Sequence, residues 1–351
     1  MTSLSRRTLL TLGGACLATT ACNGTAVQKA TSSATASSSG SPSTGAARLG
    51  KAVIGLTYIP NIQFAPFYWA ATKGLYSQAG VDASLRHHGA SEGLFNALSS
   101  GQEQFAIAGG DEVLQANSEG MDLVTVAGFY RAYPVVVIVP KDSPITTLEQ
   151  LKGHTIGVPG KFGETWYGLQ LALHQASLTE KDVTIQQIGY TQQAALATGK
   201  VDAIMGFANN DMVQFEGAGV PVRAIGLGDE IPLVSTSIVT SRAVLAERPD
   251  MVRAVCRASV KGIQAVVDDP AAAIQVSTRH VPGLEAAAAQ KSAAATLEAS
   301  IPLWNGDQQR PDGLLTESRF VAMEKFMRTA GLLTKPVDAR HAVDASVMGQ
   351  S

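Results

Sequence analysis

The chain has 351 residues, which is more than one ordinary hydrophobic core holds and therefore predicts two lobes. Its composition, 45% hydrophobic and 16% charged, is typical of a globular protein, and a net charge of −2 gives no electrostatic reason to expect a nucleic-acid partner. After the N-terminal segment no run of about 18 apolar residues occurs, so we expect no further transmembrane helix.

Residues 1–21 have the pattern of an export signal, in which Arg6 and Arg7 precede a mild apolar run over residues 9–21. The segment around the two arginines resembles the twin-arginine export motif, with Leu9 at the place of the usual Phe. An ordinary Sec signal is the alternative.

Cys22 follows a run of small residues that resembles a bacterial lipobox, with Thr19 where Leu is usual. We therefore expect Cys22 to be lipidated, and a cleaved, soluble secreted protein is the alternative. Residues 22–49 consist largely of Ser, Thr, Ala and Gly, which cannot bury a core and predict a disordered tether. Together these features predict a protein that is anchored by lipid outside a bacterial cell membrane.

From residue 51 onward, short β-rich runs alternate with helical stretches, which predicts mostly parallel sheets covered on both faces by helices. The first series has predicted strands at 51–59, 81–86, 105–108 and 123–129 and predicted helices at 65–73, 92–100 and 112–119. The second series, after Pro144, has predicted strands at 155–158, 183–188, 201–205 and 222–225 and predicted helices at 164–176, 192–198 and 212–218. Three more helices are predicted at 251–267, 285–300 and 314–330.

Two related lobes are indicated by a local repeat, because residues 97–107 resemble residues 195–205 in a helix, a glycine stop and a strand. Apolar runs at 135–139 and 233–239 are suited to carry the chain from one lobe to the other. We expect lobe 1 to comprise residues 50–138 and 240–345, and lobe 2 to comprise residues 139–239.

Cys256 would be the lone cysteine of the fold itself, and its helical neighbours at four-residue spacing predict a small buried residue. The six histidines are scattered and have no cysteine partners, so no metal site is expected.

Ligands of parallel sheets bind outside the carboxyl ends of the strands, and aromatic and amide side chains concentrate at these ends. Aromatic rings there favour a flat ligand ring that stacks and is hydrogen-bonded at its edge. The alternative to ligand binding for Phe67 is that it fills the core. For His88 the alternative is a solvated position at the end of a strand. The predicted ligand-binding residues are Asn61, Phe64, Phe67, Tyr68, His88, Asp111, Tyr130, Phe162, Gly163, Trp166, Tyr190, Phe207, Asn209 and Asn210.

The segment Tyr58-Ile59-Pro60-Asn61-Ile62-Gln63-Phe64-Ala65-Pro66-Phe67-Tyr68 resembles the thiamine-precursor and riboflavin-binding branch of the bacterial solute-binding proteins. The resemblance extends over roughly residues 51–326 and includes Lys73-Gly74-Leu75-Tyr76 and Ala79-Gly80-Val81-Asp82. It implies a two-lobed, type II periplasmic-binding-protein fold with two crossover strands. It also implies an ABC permease and ATPase as partners. No Ser/His/Asp ordering or acid pair stands out in the sequence, so we expect a monomeric receptor without a cofactor and without enzymatic activity.

Two ligands are compatible with this resemblance. Residues 63–68 resemble the riboflavin-binding version of the segment, whereas Pro60-Asn61 also opens the pocket of aminopyrimidine binders. We expect riboflavin or a flavin-like ring, with an aminopyrimidine thiamine precursor as the alternative. An enzyme of the thiamine-pyrimidine synthase type is the rival of another class, but the sequence lacks the clustered cysteines of those enzymes. The effector lobe of a transcription factor would need a DNA-binding module, and the N-terminus has the signal and tether instead.

Overall fold

The computed structural model describes residues 48–89, 92–228, 230–306 and 308–349. The predicted signal peptide, Cys22 and most of the predicted tether lie outside the described residues. Within the described part of the chain, no helix has both the length and the apolar character that crossing a bilayer requires.

Ten strands in the described residues form two five-stranded sheets of the same topology. The first sheet has the order β2-β1-β3-β10-β4 and the second has the order β7-β6-β8-β5-β9. The strands are β1 Gly50–Leu56, β2 Val81–His87, β3 Phe105–Gly109, β4 Leu123–Gly128, β5 Val135–Pro140, β6 Thr155–Val158, β7 Thr184–Gln187, β8 Ala203–Phe207, β9 Val222–Ile225 and β10 Thr236–Ser241.

Each sheet contains one reversed strand, next to one edge of an otherwise parallel set. β10 is antiparallel to β3 and β4, and β5 is antiparallel to β8 and β9, whereas β1 pairs with β2 and β3 in parallel. The chain thus completes four strands of the first sheet, builds the second sheet, and returns with β10. The predicted α/β class, with two mostly parallel sheets flanked by helices, is confirmed.

The exact lobe limits stay a prediction. The strand that spans the predicted limit at residue 138, β5, pairs with the second sheet along its length, and β10, which spans the limit at residue 239, pairs with the first sheet. The segments that connect the sheets therefore lie between β4 and β5 and between β9 and β10.

Most predicted helices are present within a few residues of their expected ends. The helices are α1 Ala65–Thr72, α2 Leu75–Gln78, α3 Asn96–Ser99, α4 Gly110–Ser118, α5 Gly163–Gln175, α6 Gln192–Ala197, α7 Asp211–Gly217, α8 Arg242–Glu247, α9 Pro249–Asp268, α10 Pro270–Ser277, α11 Ala287–Asn305, α12 Glu317–Thr329 and α13 Ser346–Gly349.

The prediction of a helix over residues 92–100 was too long, because only α3 forms there. Conversely, α8 and α10 were not predicted although each has a cap that sequence reading recognises. Ser241 Oγ accepts a hydrogen bond from Val244 N at 3.1 Å, and Asp269 Oδ1 accepts one from Ala272 N at 2.9 Å.

The helix α9 holds the core beneath the first sheet. Its apolar face, which includes Val252, Cys256 and Ile263, is buried against a core that contains α1. Cys256 is fully buried, so its predicted role as a small core residue is confirmed. Desolvation raises the pKa of this thiol well above its ordinary value, which keeps it unreactive.

The contact between α9 and α1 is close because Gly262 faces the main chain of α1. A Cβ atom at this position would overlap the carbonyl oxygen of Pro66 and lie 3.3 Å from Cβ of Ala70. The obstructing group is backbone, so the helices themselves must move apart to admit a side chain.

We therefore expect Gly262→Ala to lower the free energy of unfolding by about 1–3 kcal/mol through overpacking. Gly217→Ala is the matched control, since Gly217 is also helical and a Cβ atom added there would have no neighbouring atom within 4 Å. The control should be neutral or slightly stabilising. Urea denaturation measures both, and equal stability of the two variants would contradict the close packing.

Candidate functional site: a cavity between the two sheets

A cavity of about 270 Å³ lies between the carboxyl ends of the two sheets. From the first sheet and its helices it is lined by Thr57, Tyr58, Gln63, Phe64, His88, Gly89, Glu92, Gly93, Leu94, Ile107, Ala108, Glu112, Phe129, Tyr130 and Thr236. From the second sheet and its helices it is lined by Pro159, Phe162, Gly163, Glu164, Thr165, Tyr190, Gln192 and Phe207. The position at the strand ends is the one that parallel sheets use for ligands.

Aromatic rings from both sheets meet at this cavity. Tyr58, which follows β1, contacts Tyr190, which follows β7, edge to face with ring centroids 4.5 Å apart. Phe129 and Tyr130, which follow β4, have ring centroids 4.7 Å apart. Such rings offer flat apolar surface to a ligand at low conformational cost.

Tyr130 is held in place from behind the cavity. Its ring stacks on that of Trp304, with ring centroids 6.3 Å apart, and its hydroxyl accepts a hydrogen bond from Asn209 Nδ2 at 3.1 Å. Asn209 Nδ2 also donates to Ser300 Oγ at 2.7 Å. Because Asn209 follows β8 of the second sheet, these contacts join the two halves of the molecule beside the cavity.

Three carboxyl groups are buried together at the cavity. Desolvation raises the pKa of Asp111 to about 7 and that of Glu112 to about 8, and it raises the pKa of Glu164 well above its usual range. The neighbouring carboxyls reinforce the shifts at Glu112 and Glu164 by repulsion. Glu112 and Glu164 line the cavity, and Asp111 lies behind them.

The hydrogen bonds of Tyr133 support an uncharged Asp111. The Tyr133 hydroxyl lies 2.9 Å from Asp111 Oδ2 and 2.8 Å from the carbonyl oxygen of Glu164. A hydroxyl has one proton and cannot donate to both oxygens. If Asp111 is protonated, it donates to Tyr133 while Tyr133 donates to the carbonyl oxygen, and both contacts are satisfied.

His88 lines the cavity, and one of its ring nitrogens is held by Glu103. Its Nε2 donates to Glu103, whose oxygens lie at 2.9 and 3.1 Å, and Arg86 Nε donates to the same carboxylate at 2.8 Å. His88 Nδ1 is buried and has no hydrogen-bond partner among the described residues.

A family model described as "NMT1/THI5 like" matches residues 61–273. The chain belongs to the NMT1/THI5-like family. The matched range includes every strand from β2 to β10 and most of the cavity lining. The predicted family resemblance is confirmed.

Relatives of this family member include binding proteins and an enzyme. The riboflavin-binding protein RibY of Chloroflexus aurantiacus is 35% identical over 300 residues, which cover 84% of this chain and 85% of RibY. A formylaminopyrimidine-binding protein of Halalkalibacterium halodurans is 24% identical and covers 63% of this chain and 68% of its own. A 4-amino-5-hydroxymethyl-2-methylpyrimidine phosphate synthase of Aspergillus parasiticus is 24% identical and covers 60% and 65%.

RibY is thus more similar over a larger share of the chain than the synthase, which confirms the expectation of a binding protein rather than an enzyme. Among solved structures, the alkanesulfonate-binding protein SsuA of Xanthomonas axonopodis pv. citri, bound to MOPS, has a TM-score of 0.67 at 21% identity and covers 85% of this chain and 99% of its own. This similarity confirms the predicted binding-protein fold.

Half of the predicted site residues of this NMT1/THI5-like chain line the cavity. They are Phe64, His88, Tyr130, Phe162, Gly163, Tyr190 and Phe207. The other seven lie elsewhere. Phe67 and Tyr68 are fully buried in the core around α1 and α9, so the alternative prediction for Phe67 is the one the structure shows. Trp166 packs in a hydrophobic core beneath Lys161.

The predicted amide residues also lie off the cavity. Asn61 and Asn210 line a separate pocket of about 160 Å³, where Asn61 Nδ2 donates to Asn210 Oδ1 at 3.4 Å. Asn209 and Asp111 lie behind lining residues, and their contacts are to Tyr130 and Tyr133. The ligand-binding role of the fourteen predicted residues therefore stays a prediction.

The main cavity residues that sequence reading missed are Glu112, Glu164 and Tyr58. Glu112 directly follows the predicted Asp111, and Glu164 directly follows the predicted Gly163. Both glutamates lie in the first turn of a helix, where successive side chains point about 100° apart. A neighbour of a predicted residue can therefore be the one that faces the cavity. Strand ends alone do not tell which of two neighbours faces the cavity.

The buried carboxyls predict a stability that falls as pH rises. Between the ordinary pKa of Glu112, 4.5, and its folded value of about 8, the folded state holds a proton that the unfolded state has released. This contribution is complete at low pH and is lost as pH rises through about 8. Glu112→Gln should make the decline less steep, by up to about 1 kcal/mol per pH unit.

Urea denaturation between about pH 6 and pH 8 measures this slope. The control is Glu149→Gln, because the Thr147 hydroxyl lowers the pKa of this exposed carboxyl, which therefore titrates below the window. The same slope in the wild type and in Glu112→Gln would show that Glu112 is ionised in the folded protein.

Proposed function

We propose that this chain is the extracytoplasmic solute-binding component of an ABC importer and that its ligand is a flat, uncharged aromatic heterocycle, with riboflavin as the first candidate. The observation that carries the proposal is the cavity between the two sheets, whose walls are aromatic and whose polar groups include two buried glutamates with raised pKa values. RibY, 35% identical over most of the chain, supports the choice of riboflavin.

The charge of the cavity favours an uncharged ligand. Among the described residues that line it, none is a lysine or an arginine, and three are glutamates. Glu92 is paired with Arg86. A sulfonate or phosphate group would meet no lysine or arginine among these lining residues, and its burial beside the glutamates would be costly.

The isoalloxazine ring of riboflavin matches this chemistry. It is flat and apolar at one end, and at the other end it carries carbonyl oxygens, ring nitrogens and one N–H group. Phe64, Phe129 and Tyr190 supply aromatic surface, while Glu112, Glu164 and His88 supply polar atoms for the ring edge.

An aminopyrimidine thiamine precursor is the second candidate, favoured by the formylaminopyrimidine-binding relative. Two features weigh against it. Asn61, the residue of the aminopyrimidine-type segment, lines the smaller pocket and not the cavity. The aromatic lining is also more extensive than a single six-membered ring requires.

Ligand binding is coupled to closure of the two halves in this proposal. The ligand stacks on rings of one half, and the other half then completes the polar contacts. Closure is favoured to the extent that the ligand binds the closed state more tightly. The closed form would dock on the permease, and the predicted lipid anchor at Cys22 would keep the receptor beside it.

Titration of riboflavin into the purified protein tests the proposal, because stacking on aromatic rings quenches flavin fluorescence. We expect saturable quenching with one ligand per chain. Tyr190→Ala should weaken binding by about 1–3 kcal/mol, the usual contribution of one stacked ring. Trp69→Ala is the control, since Trp69 is a half-buried ring on α1 outside the cavity.

Unchanged affinity in Tyr190→Ala would contradict the placement of the site. Binding of the aminopyrimidine in place of riboflavin would favour the second candidate. The absence of binding of either compound at micromolar concentration would refute both.

A further inference from the structure

The side chain of Glu164 is held at one oxygen and unpartnered at the other. Glu164 belongs to the first turn of α5, and its Oε1 accepts hydrogen bonds from Ser235 Oγ at 2.9 Å and Thr236 Oγ1 at 3.1 Å. The residue is 5% exposed, lines the cavity, and its Oε2 has no hydrogen-bond partner in the described part of the chain. A buried polar atom without a partner costs free energy unless a ligand or water satisfies it.

The cavity gives Glu164 no positive partner. Its lining contains no lysine or arginine among the described residues, and Glu112 lines the same cavity from the first sheet. Two carboxylates that share one desolvated space cannot both be ionised cheaply. Burial and the neighbouring Asp111 and Glu112 raise the pKa of Glu164 well above its ordinary value.

A protonated carboxyl group is a donor as well as an acceptor. Because Oε1 already accepts two hydrogen bonds, the proton is best placed on Oε2. Glu164, a residue that lines the cavity, then carries an O–H group whose acceptor the described residues do not supply.

We propose that Glu164 is a specificity-determining residue, whose Oε2 hydroxyl donates a hydrogen bond to a carbonyl oxygen or ring nitrogen on the edge of the bound heterocycle. This inference rests on the proposed function and deepens it. It assigns to the site a ligand whose ring edge carries an acceptor. It also makes the ligand part of the contact between the two halves, since Ser235 and Thr236 connect to the first sheet and Glu164 to the second.

The test uses two substitutions of different chemistry. Glu164→Gln keeps an oxygen for Ser235 and Thr236 and places an N–H donor where the hydroxyl was. Glu164→Leu removes both. We expect riboflavin affinity at about pH 6 to change less than about threefold in Glu164→Gln and to fall about 5- to 150-fold in Glu164→Leu, as for one buried hydrogen bond.

A pH profile separates a donor from a merely structural residue. Ionised Glu164 cannot donate, so affinity should fall as pH rises, and glutamine should remove this part of the decline. The ionisable groups that interact electrostatically with Glu164 are Asp111 and Glu112 on α4 and Tyr130 and Tyr133 after β4, and Tyr167 follows it by three residues on α5. The comparison is therefore made in a Glu112→Gln background, with and without Glu164→Gln, so that the difference belongs to Glu164.

The outcomes are distinct from those of the proposed function. Riboflavin binding to the wild type with equal pH profiles in the two backgrounds, or with unchanged affinity in Glu164→Leu, would overturn this inference and leave the proposed function standing. No riboflavin binding to the wild type would overturn both. If Glu164→Leu does not fold, as judged by circular dichroism, the pH profiles of the isosteric glutamine variants decide.

Discussion

The site is organised by two glutamates from opposite sheets that share one desolvated cavity. Glu112 starts α4 of the first sheet and Glu164 starts α5 of the second, and both line the same space. No lysine or arginine is among the described lining residues, burial raises the pKa of both carboxyls, and neutral donors hold them. Glu112 Oε2 accepts from Gly109 N at 2.8 Å, and Glu164 Oε1 accepts from Ser235 and Thr236. In our proposal this constraint favours an uncharged ring over an anion as the ligand.

The same constraint connects the site to the segments that join the sheets. Tyr133 lies in the first connection, between β4 and β5, and contacts both Asp111 and Glu164. Ser235 lies in the second connection, just before β10. On the outside of the molecule Arg319 donates to the carbonyl oxygens of Arg131, at 3.0 Å, and Leu233, at 3.5 Å, one in each connection. A hinge motion of the two halves would therefore change the contacts of the carboxyl cluster directly.

Much of the fold could be predicted because its strands and helices differ in hydrophobic period. The strand Thr155–Val158 and the strand Val222–Ile225 have their predicted bounds, and the second sheet repeats the order of the first. The short capped helices α8 and α10 were missed because too few residues show a period. Of the helix expected over residues 92–100, only α3 forms, because turn residues after Gly93 occupy the first half of that range.

The candidate site was predictable in position and only partly in detail. Strand ends located Tyr130, Phe162, Tyr190 and Phe207 at the cavity, because topology alone brings the carboxyl ends together. The amides Asn61 and Asn210 could not be placed, because their loops turn them toward each other on another surface. Glu112 and Glu164 were missed because glutamates are usually exposed, whereas here tertiary packing buries both side chains.

Mass spectrometry of the compound retained on natively purified protein tests the central claim most directly. We expect an uncharged flat heterocycle, with the mass of riboflavin as the first expectation, released at one molecule per chain. A retained sulfonate or phosphate ester would contradict the claim, because such a ligand would have to lie against two buried glutamates with no lysine or arginine among the described lining residues.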